Sequence, residues 1–390
     1  MIERNESYKW IVLGISFLLM LVFAISLQAL PPIFGNIMKD IPFSNKQAGL
    51  LMSSYSFLGI FFPFVVAVFI EKLDLKKMLL VALGLVIVGL VGFSLSSSYI
   101  LLLLYRLLSG AGATILVILA PLLVTMHFGR KNIGTAMGIF NIAVPLGTVV
   151  SVNLFGYLGL FMNWRSVIGI IIGFVSMVLL VVIFFLIIPP RKVEKESTTP
   201  KSRFKFGSSL AFLGVVWMIV NGQLLAYTTF GSQFFQSYNM SIQEAGFLTS
   251  MIMLVPIFIT PFIGVIIDKT GHKKIYLLLG FLVMAVALFS IVTTWLSLTF
   301  WAVAIGIGFS FAPVVVFSAL PDVVKPEHTG MGLAVLTAAS NLGITIGPVG
   351  FGSILDMTSG NFSIGFQVLS MFSVLGIFIL FGIKQNTERL

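Results

Sequence analysis

The sequence predicts an all-α membrane protein, with twelve transmembrane helices in two pseudo-symmetric six-helix bundles. Three observations lead there. Composition is the first: 58% of the 390 residues are hydrophobic, 38 are Phe, and only 9% are charged. A soluble domain carries about 25% charged residues, so this chain has too little polar surface for a water-soluble body of its size. Segmentation is the second: apolar runs of roughly 20 residues, the length that crosses a bilayer, follow one another almost end to end. The third is an internal repeat, in which the second half of the chain echoes the first at an offset of 197 residues.

Apolar segments at 10–30, 48–70, 77–96, 99–124, 134–160 and 166–188 form a first set of six. A second set runs 208–234, 243–267, 275–294, 296–320, 330–355 and 362–383. Each is expected to be a helix, because an open strand leaves backbone groups unsatisfied in lipid. Between the sets lies "PPRKVEKESTTPKSRFKFG" (189–207), whose prolines and charges mark a cytoplasmic linker between bundles 1–188 and 208–390. The charged start "MIERNESYKW" precedes an apolar run with no persuasive small-x-small cleavage site before "LPPIF". The first span is therefore expected to be retained. Pro31, Pro32, Pro145, Pro256, Pro261, Pro313 and Pro348 fall in or at spans, where proline kinks helices at tolerable cost.

The formal net charge of +10 does not describe a nucleic-acid surface, because the cations sit in short gaps between apolar runs. Alternate gaps and termini collect nineteen of the 23 Lys and Arg, and the remaining gaps hold only Lys39, Lys46 and Arg165. That asymmetry places both termini in the cytoplasm. A multi-pass protein of a prokaryotic cell membrane is expected, with the bilayer and a small solute as partners and no nucleic acid. Zero cysteines exclude disulfides and thiolate chemistry.

The repeat is specific. "FSNKQAGLLMSSY" (43–55) matches "MSIQEAGFLTSMI" (240–252), and "AVFIEKLDLKK" (67–77) matches "GVIIDKTGHKK" (264–274). Gly110 and Gly112 correspond to Gly306 and Gly308 at an offset of 196. Six helices were duplicated in parallel orientation, since an even number of spans returns the chain to the same side.

These stretches also resemble a known family. "GVIIDKTGHKK" is similar to the major facilitator signature between helices 8 and 9, glycine-x-x-x-Asp-Arg/Lys-x-Gly-x-Lys/Arg. "LLYRLLSGAGA" (103–113), with Gly110 and Gly112, resembles its fourth-helix signature. "NLGITIGPVG" (341–350) resembles its Gly-Pro signature, here Gly347 and Pro348 on span 11, with Pro145 and Gly147 on span 5. "NWR" (163–165) is similar to a common start of helix 6. The resemblance covers nearly the whole chain. It implies two bundles that rock about a shared path, opening it to alternate sides.

Asp268 falls at the end of span 8, where its own helix dipole opposes a carboxylate. The resemblance supplies a donor in the other half, the start of span 5 near Asn132 to Gly134. By pseudo-symmetry Glu71 would meet the start of span 11. Such contacts form only with the cytoplasmic ends together, so they favour the outward-facing state. Gly264, Lys269, Gly271 and Lys273 complete this gate signature, with Lys72 and Lys76 in the first copy. The lysines are expected to anchor the loop and to pair with Asp322 at the end of span 10. The first copy departs from the pattern, with Ala67, Glu71 and Asp74 at the two glycine positions and the aspartate. Asp tolerates the left-handed conformation better than most residues, so that turn is expected to survive. Loops that only orient helices by charge are the plainer alternative.

Arg106 is the one formally charged side chain well inside a span, so it should face water or a partner. It could attract an anionic substrate, or it could hydrogen-bond carbonyls of span 1. The resemblance makes spans 1 and 7 symmetry mates that line the path, which nominates Ser26, Gln28, Asn221, Gln223 and Tyr227. Asn141 and Asn341 add amides on spans 5 and 11. The faces Gly134–Gly138–Asn141–Pro145–Thr148 and Gly330–Ala334–Thr337–Asn341–Thr345 are small-residue stripes, which usually mean close helix packing.

Asp40, Glu244, Asp356, Asp268 and Asp322 all sit near span ends, so no carboxylate lies deep in a span. That argues against proton-driven export of cationic drugs. The three histidines fall in loops without ligand spacing, so neither a metal nor another cofactor is expected. No clustered acid, base and nucleophile suggests an enzyme. The tripeptides beginning at Asn239 and Asn361 match glycosylation acceptors and are read as accidental.

The expected function is secondary active or facilitative transport of a small solute by alternating access, with a small organic or inorganic anion as first cargo. A neutral or lipophilic compound, as in multidrug export, is the second. A channel or a non-transporting receptor is the remote alternative. A monomer is expected because the path is built within one chain.

Overall fold

The structure, a computed structural model, describes residues 7–64, 74–128, 132–188, 206–293, 295–325 and 328–381. Glu71 and Lys72, with Ala67, Arg130, Lys131 and linker residues 189–205, lie outside the described residues. The described chain is helical and contains no strand.

The first bundle holds α1 (Tyr8–Gln28), α2 (Asn45–Phe57), α3 (Leu75–Leu95), α4 (Tyr99–His127), α5 (Ile133–Leu158) and α6 (Trp164–Phe185). The second holds α7 (Ser208–Ser237), α8 (Ile242–Thr270), α9 (Lys273–Ser290), α10 (Leu298–Val323), α11 (Thr329–Met357) and α12 (Phe362–Phe381). Among the described residues, eleven helices are long and apolar enough to cross a membrane. The twelfth, α2, carries the description only to residue 64.

Polar caps set most helix starts. Ser44 and Ser241 form capping boxes with Gln47 and Glu244, while Ser98, Asn163 and Ser297 accept single backbone N–H bonds. Prolines shape the interiors. After α1 the chain turns through Pro31–Ile33 and resumes as a short helix, Phe34–Asp40. In α5 the α-helical ladder breaks at Ile142, because Pro145 has no N–H to give the Asn141 carbonyl.

The two bundles repeat one packing plan. In the first, α1 lies against α5, α2 and α3 against α4, and α3 against α6; in the second, α7 against α11, α8 and α9 against α10, and α9 against α12. Glycines from the repeat sit at corresponding crossings. Gly110 abuts the Tyr55 carbonyl on α2 and Gly306 the Met251 carbonyl on α8. Gly112 abuts Ala82 on α3 and Gly308 the Gly280 carbonyl on α9. Without side chains the backbones approach closely, where dispersion must replace the hydrophobic effect that lipid does not supply. Large apolar side chains such as Phe184, Phe262 and Phe378 stay on the exterior, as a bilayer solvent requires.

One sequence expectation is corrected here. Asp74 is not left-handed: its backbone is extended (φ −70°, ψ 110°), and its carboxylate caps α3 by accepting from the N–H groups of Lys76 and Lys77. A side chain that can bond the first turn makes Asp a starter of the next helix. Its counterpart Gly271 is left-handed (φ 71°) and ends α8, its N–H reaching the Ile267 carbonyl at 2.8 Å. The repeated loops thus share charge but not backbone.

Candidate functional site

The bundles meet along two helix pairs, α2 with α11 and α5 with α8. On the α2–α11 seam, Gly49 abuts the Pro348 carbonyl, Gly352 abuts the Asn45 carbonyl, and Gly59 lies against the Asn341 side chain. Ser53 Oγ donates to the Thr345 carbonyl at 2.5 Å. On the other seam, Gly246 abuts the Val152 carbonyl, and Gly156 abuts Ile242. Between them, Gln28 Nε2 on α1 donates to Thr228 Oγ1 on α7 at 3.2 Å, both side chains buried.

Most of these contacts lie toward the face where α2 and α8 begin, and the Gly59–Asn341 contact lies near mid-helix. Toward the face where α1 begins, henceforth the basic face, the walls part. A Cβ added at Gly134 or Gly138 of α5, or at Gly330 of α11, would meet nothing within 4 Å. Asn141 is exposed there. Asp268 is exposed too, and among the described residues it bonds to no partner, so it makes no contact with the start of α5. Among the described residues, the bundles are joined at one face and parted at the other.

Arg106 on α4 is 1% exposed. Its Nη1 and Nη2 donate to the Ser26 and Leu27 carbonyls at 2.5 and 2.7 Å, and Nε to the Leu51 carbonyl at 3.2 Å. The guanidinium also stacks 4.2 Å from the Tyr55 ring centre. Ser26 and Leu27 belong to the last turn of α1, whose carbonyls lack partners within the helix. No water substitutes for those partners inside a bilayer. A fixed cation there also complements the negative end of the helix dipole. Arg106 is therefore a cap for the end of α1.

Two bundles of one plan, joined at one face, raise the question of ancestry. The family model described as Major Facilitator Superfamily matches residues 16–236 and again 215–389. The chain belongs to the major facilitator superfamily.

It is similar, at 22% identity over 91% of this chain and 92% of the relative, to the uncharacterized MFS-type transporter MJ1560 of Methanocaldococcus jannaschii. It is 25% identical to the hexuronate transporter of Bacillus subtilis, over 87% of each chain. Among solved structures, a bacterial homolog of the human lysosomal transporter Spinster, crystallised inward-facing and occupied, superposes with a TM-score of 0.78 at 17% identity, covering 97% of each chain. This chain is thus a multi-pass membrane transporter of that superfamily and not an enzyme.

Other nominated residues of this facilitator fall in three groups. Gln28 and Asn341 stand at the meeting of the bundles, with Asn341 Nδ2 also donating to Thr337 of its own helix. Ser26 contributes its carbonyl, while its hydroxyl is buried without a partner. Gln223 and Tyr227 are turned away from the meeting line, whereas Asn221 shares the helix face of Thr228. Gln223 Nε2 donates to the Leu369 carbonyl and Ser373 Oγ of α12, both at 2.6 Å, Tyr227 Oη to the Leu248 carbonyl of α8, and Asn221 to Trp217 of its own helix. Polarity in an apolar span marked all three, yet it marks equally a side chain such as Gln223 or Tyr227 that ties two helices together.

The signature positions are structural. Gly147 abuts Ala24 on α1, Gly347 abuts the Gly222 carbonyl on α7, Pro145 breaks α5, and Pro348 presents its carbonyl to Gly49. At the basic face Lys273 Nζ pairs with Asp322 Oδ2 at 2.5 Å and donates to the Ser318 carbonyl. Lys76 Nζ donates to the Ile183 carbonyl at the end of α6. Lys269 and Gly264 flank Asp268, and Gly264 makes only ordinary contact with Val314. Sequence reasoning missed Thr228, Gly49, Ser53, Asn45 and Gly352. A signal was present: the α11 stripe continues through Pro348 and Gly352 to Asp356, and Asn45, Gly49 and Ser53 recur every four residues on α2.

Proposed function

We propose that this chain moves a small neutral organic solute by alternating access, and that the structure is its inward-facing state. The supporting observation is the one-sided seam: α2–α11 and α5–α8 close one face, while Gly134, Gly138, Gly330 and Asp268 stand apart at the other. The positive-inside count makes that parted face cytoplasmic. Rocking of one bundle on the other exchanges the closed and parted faces. In the outward-facing state Asp268 would reach the start of α5, as the loop signature implies.

The neutral cargo follows from Arg106. Three main-chain carbonyls and Tyr55 already surround its guanidinium, so it is a structural cation in this state. Inward of the charged loops, the polar side chains named at the meeting line and on the walls are amides and hydroxyls: Asn141, Gln28, Thr228 and Asn341. An anionic cargo is the second reading. The likeness to a hexuronate transporter favours it, and so do the two guanidinium N–H groups that the three carbonyls leave over.

A thermal-shift screen of the purified protein against neutral sugars, amides, amino acids, carboxylated sugars, inorganic anions and lipophilic drugs tests both. Hits then go to counterflow in proteoliposomes. Stabilisation and counterflow by neutral solutes are expected. Saturable counterflow confined to anions would overturn the neutral reading, and flux without saturation or counterflow would overturn the transporter cycle.

A further inference from the structure

We propose that Asp356 is a positioning residue of the transport cycle: a latch whose carboxylate, at the end of α11, holds the face opposite the basic loops shut by binding the first turn of α2. The inference rests on the alternating-access reading above.

Asp356 Oδ1 accepts from the Asn45 backbone N–H and from Asn45 Nδ2, both at 3.0 Å, and Oδ2 accepts from the Lys46 backbone N–H at 2.9 Å. Asn45 and Lys46 are the first two residues of α2, whose N–H groups have no acceptor within the helix. At the end of α11 the carboxylate is opposed by its own helix dipole, but across the seam it meets the positive end of another. Both oxygens are used in charge-assisted bonds, the stronger class. The partners belong to different bundles, so these bonds exist only while that face is shut.

The pseudo-symmetric position supplies a control. Ser241 and Ile242 match Ser44 and Asn45 at the 197-residue offset, and α8 starts with the same capping box. There the carboxylate belongs to α8 itself: Glu244 accepts from the Ser241 N–H at 2.9 Å. Glu244 is replaced by neutral Gln47 in the first copy. Both helix starts therefore receive one carboxylate, but only α2 takes its own from the opposite bundle. Among the described residues no side-chain hydrogen bond joins α5 to α8, whose seam is a close approach at Gly246 and Gly156. The latch is confined to α2–α11.

Asp356 and Asp268 then form a pair. Each ends a helix of the second bundle, and each has the start of a first-bundle helix as its target, on opposite faces. In this structure Asp356 is engaged and Asp268 is not. The reverse is required once the bundles rock.

The chain has no cysteine, so single pairs of spin labels can be placed without background. Labels replacing Phe161 and Trp295, both exposed near the shut face, report its opening as a distance distribution in proteoliposomes. In Asp356→Asn, which keeps shape and loses charge, the ratio of long to short distances is expected to rise about tenfold or more. Asn45→Pro is the second variant. It deletes both donors to Oδ1, and proline is favoured at the first position of a helix whose preceding residue is extended, as Ser44 is (ψ 170°). It should shift the ratio the same way. Ser370→Ala removes a buried hydrogen bond between α12 and α9 inside the second bundle and should lower thermal stability without moving the ratio.

If both variants fold and keep the wild-type distribution, the latch is wrong. If they lose stability but not the short distance, Asp356 is only a structural cap, and the proposal fails as well. A wild type that shows one distance under every condition would instead overturn the alternating-access reading itself.

Discussion

Arg106→Ala gives the sharpest test of how this fold tolerates a charge in the membrane. The substitution removes three charge-assisted hydrogen bonds and the stacking on Tyr55, and it leaves the carbonyls of Ser26, Leu27 and Leu51 without their donors. A hydrogen bond to a charged group contributes about 1.5–3 kcal/mol net, and a buried cation–π contact about 2 kcal/mol. Those figures do not add in full, because deleting the arginine also removes the cost of burying it. The expected loss is therefore about 3–5 kcal/mol, the range for one partner removed from a buried charged network. In a chain of this length that lowers the unfolding midpoint by roughly 4–6 °C. Arg106→Lys keeps the charge but replaces a three-way fork with a point donor, so it should fall between wild type and alanine. The assay is thermal unfolding in detergent, followed by size exclusion and tryptophan fluorescence. An alanine variant melting within about 1 °C of wild type would refute the capping role. So would alanine and lysine variants of equal stability that lose only ligand response, because that pattern would make Arg106 a cargo residue.

Four further outcomes concern the seam, the second bundle and the basic face. Gly49→Ala places a methyl group against the Pro348 carbonyl, a backbone atom that cannot turn aside; the shut face should open in label distances, with little change in melting. By contrast Gly343→Ala meets the Met218 carbonyl inside the second bundle, so it should lower the melting midpoint while the label distances of folded protein stay put. Cysteines replacing Asp268 and Gly134 should fail to crosslink in the state described here and crosslink once the shut face opens; crosslinking at equal rates in both states would remove the gate role of that loop. Lys273→Ala loses a part-exposed ion pair and a carbonyl contact, which contributes about 1 kcal/mol, and its effect on melting should shrink in 1 M salt.

Much of the fold was legible because the bilayer enforces it residue by residue. Apolar runs of spanning length and an offset of 197 depend on local pattern alone, and the bundles follow. The gate loop was partly legible. Lys273 finds Asp322 as its charge and position imply, and Gly271 takes the left-handed turn. Asp74 went the other way, since its carboxylate had a nearer use in capping α3 than in replacing glycine.

The interior polar groups were the hard part. Arg106, Gln28, Asn221, Gln223 and Tyr227 all look alike in sequence, as polar residues in greasy helices. Which of them faces the meeting line depends on helix rotation, and rotation is decided by packing between segments far apart in the chain. Gln223 turns to Ser373, 150 residues away, and Gln28 to Thr228, 200 residues away.

The sequence by itself determined that this chain crosses a membrane twelve times, in two copies of one six-helix plan, because hydropathy, length and repetition act locally. Only the tertiary structure decided which face is shut, that Arg106 caps the end of α1, and that Asp356 reaches across to α2. Those are contacts between distant elements, and their partners become neighbours only when the two bundles dock.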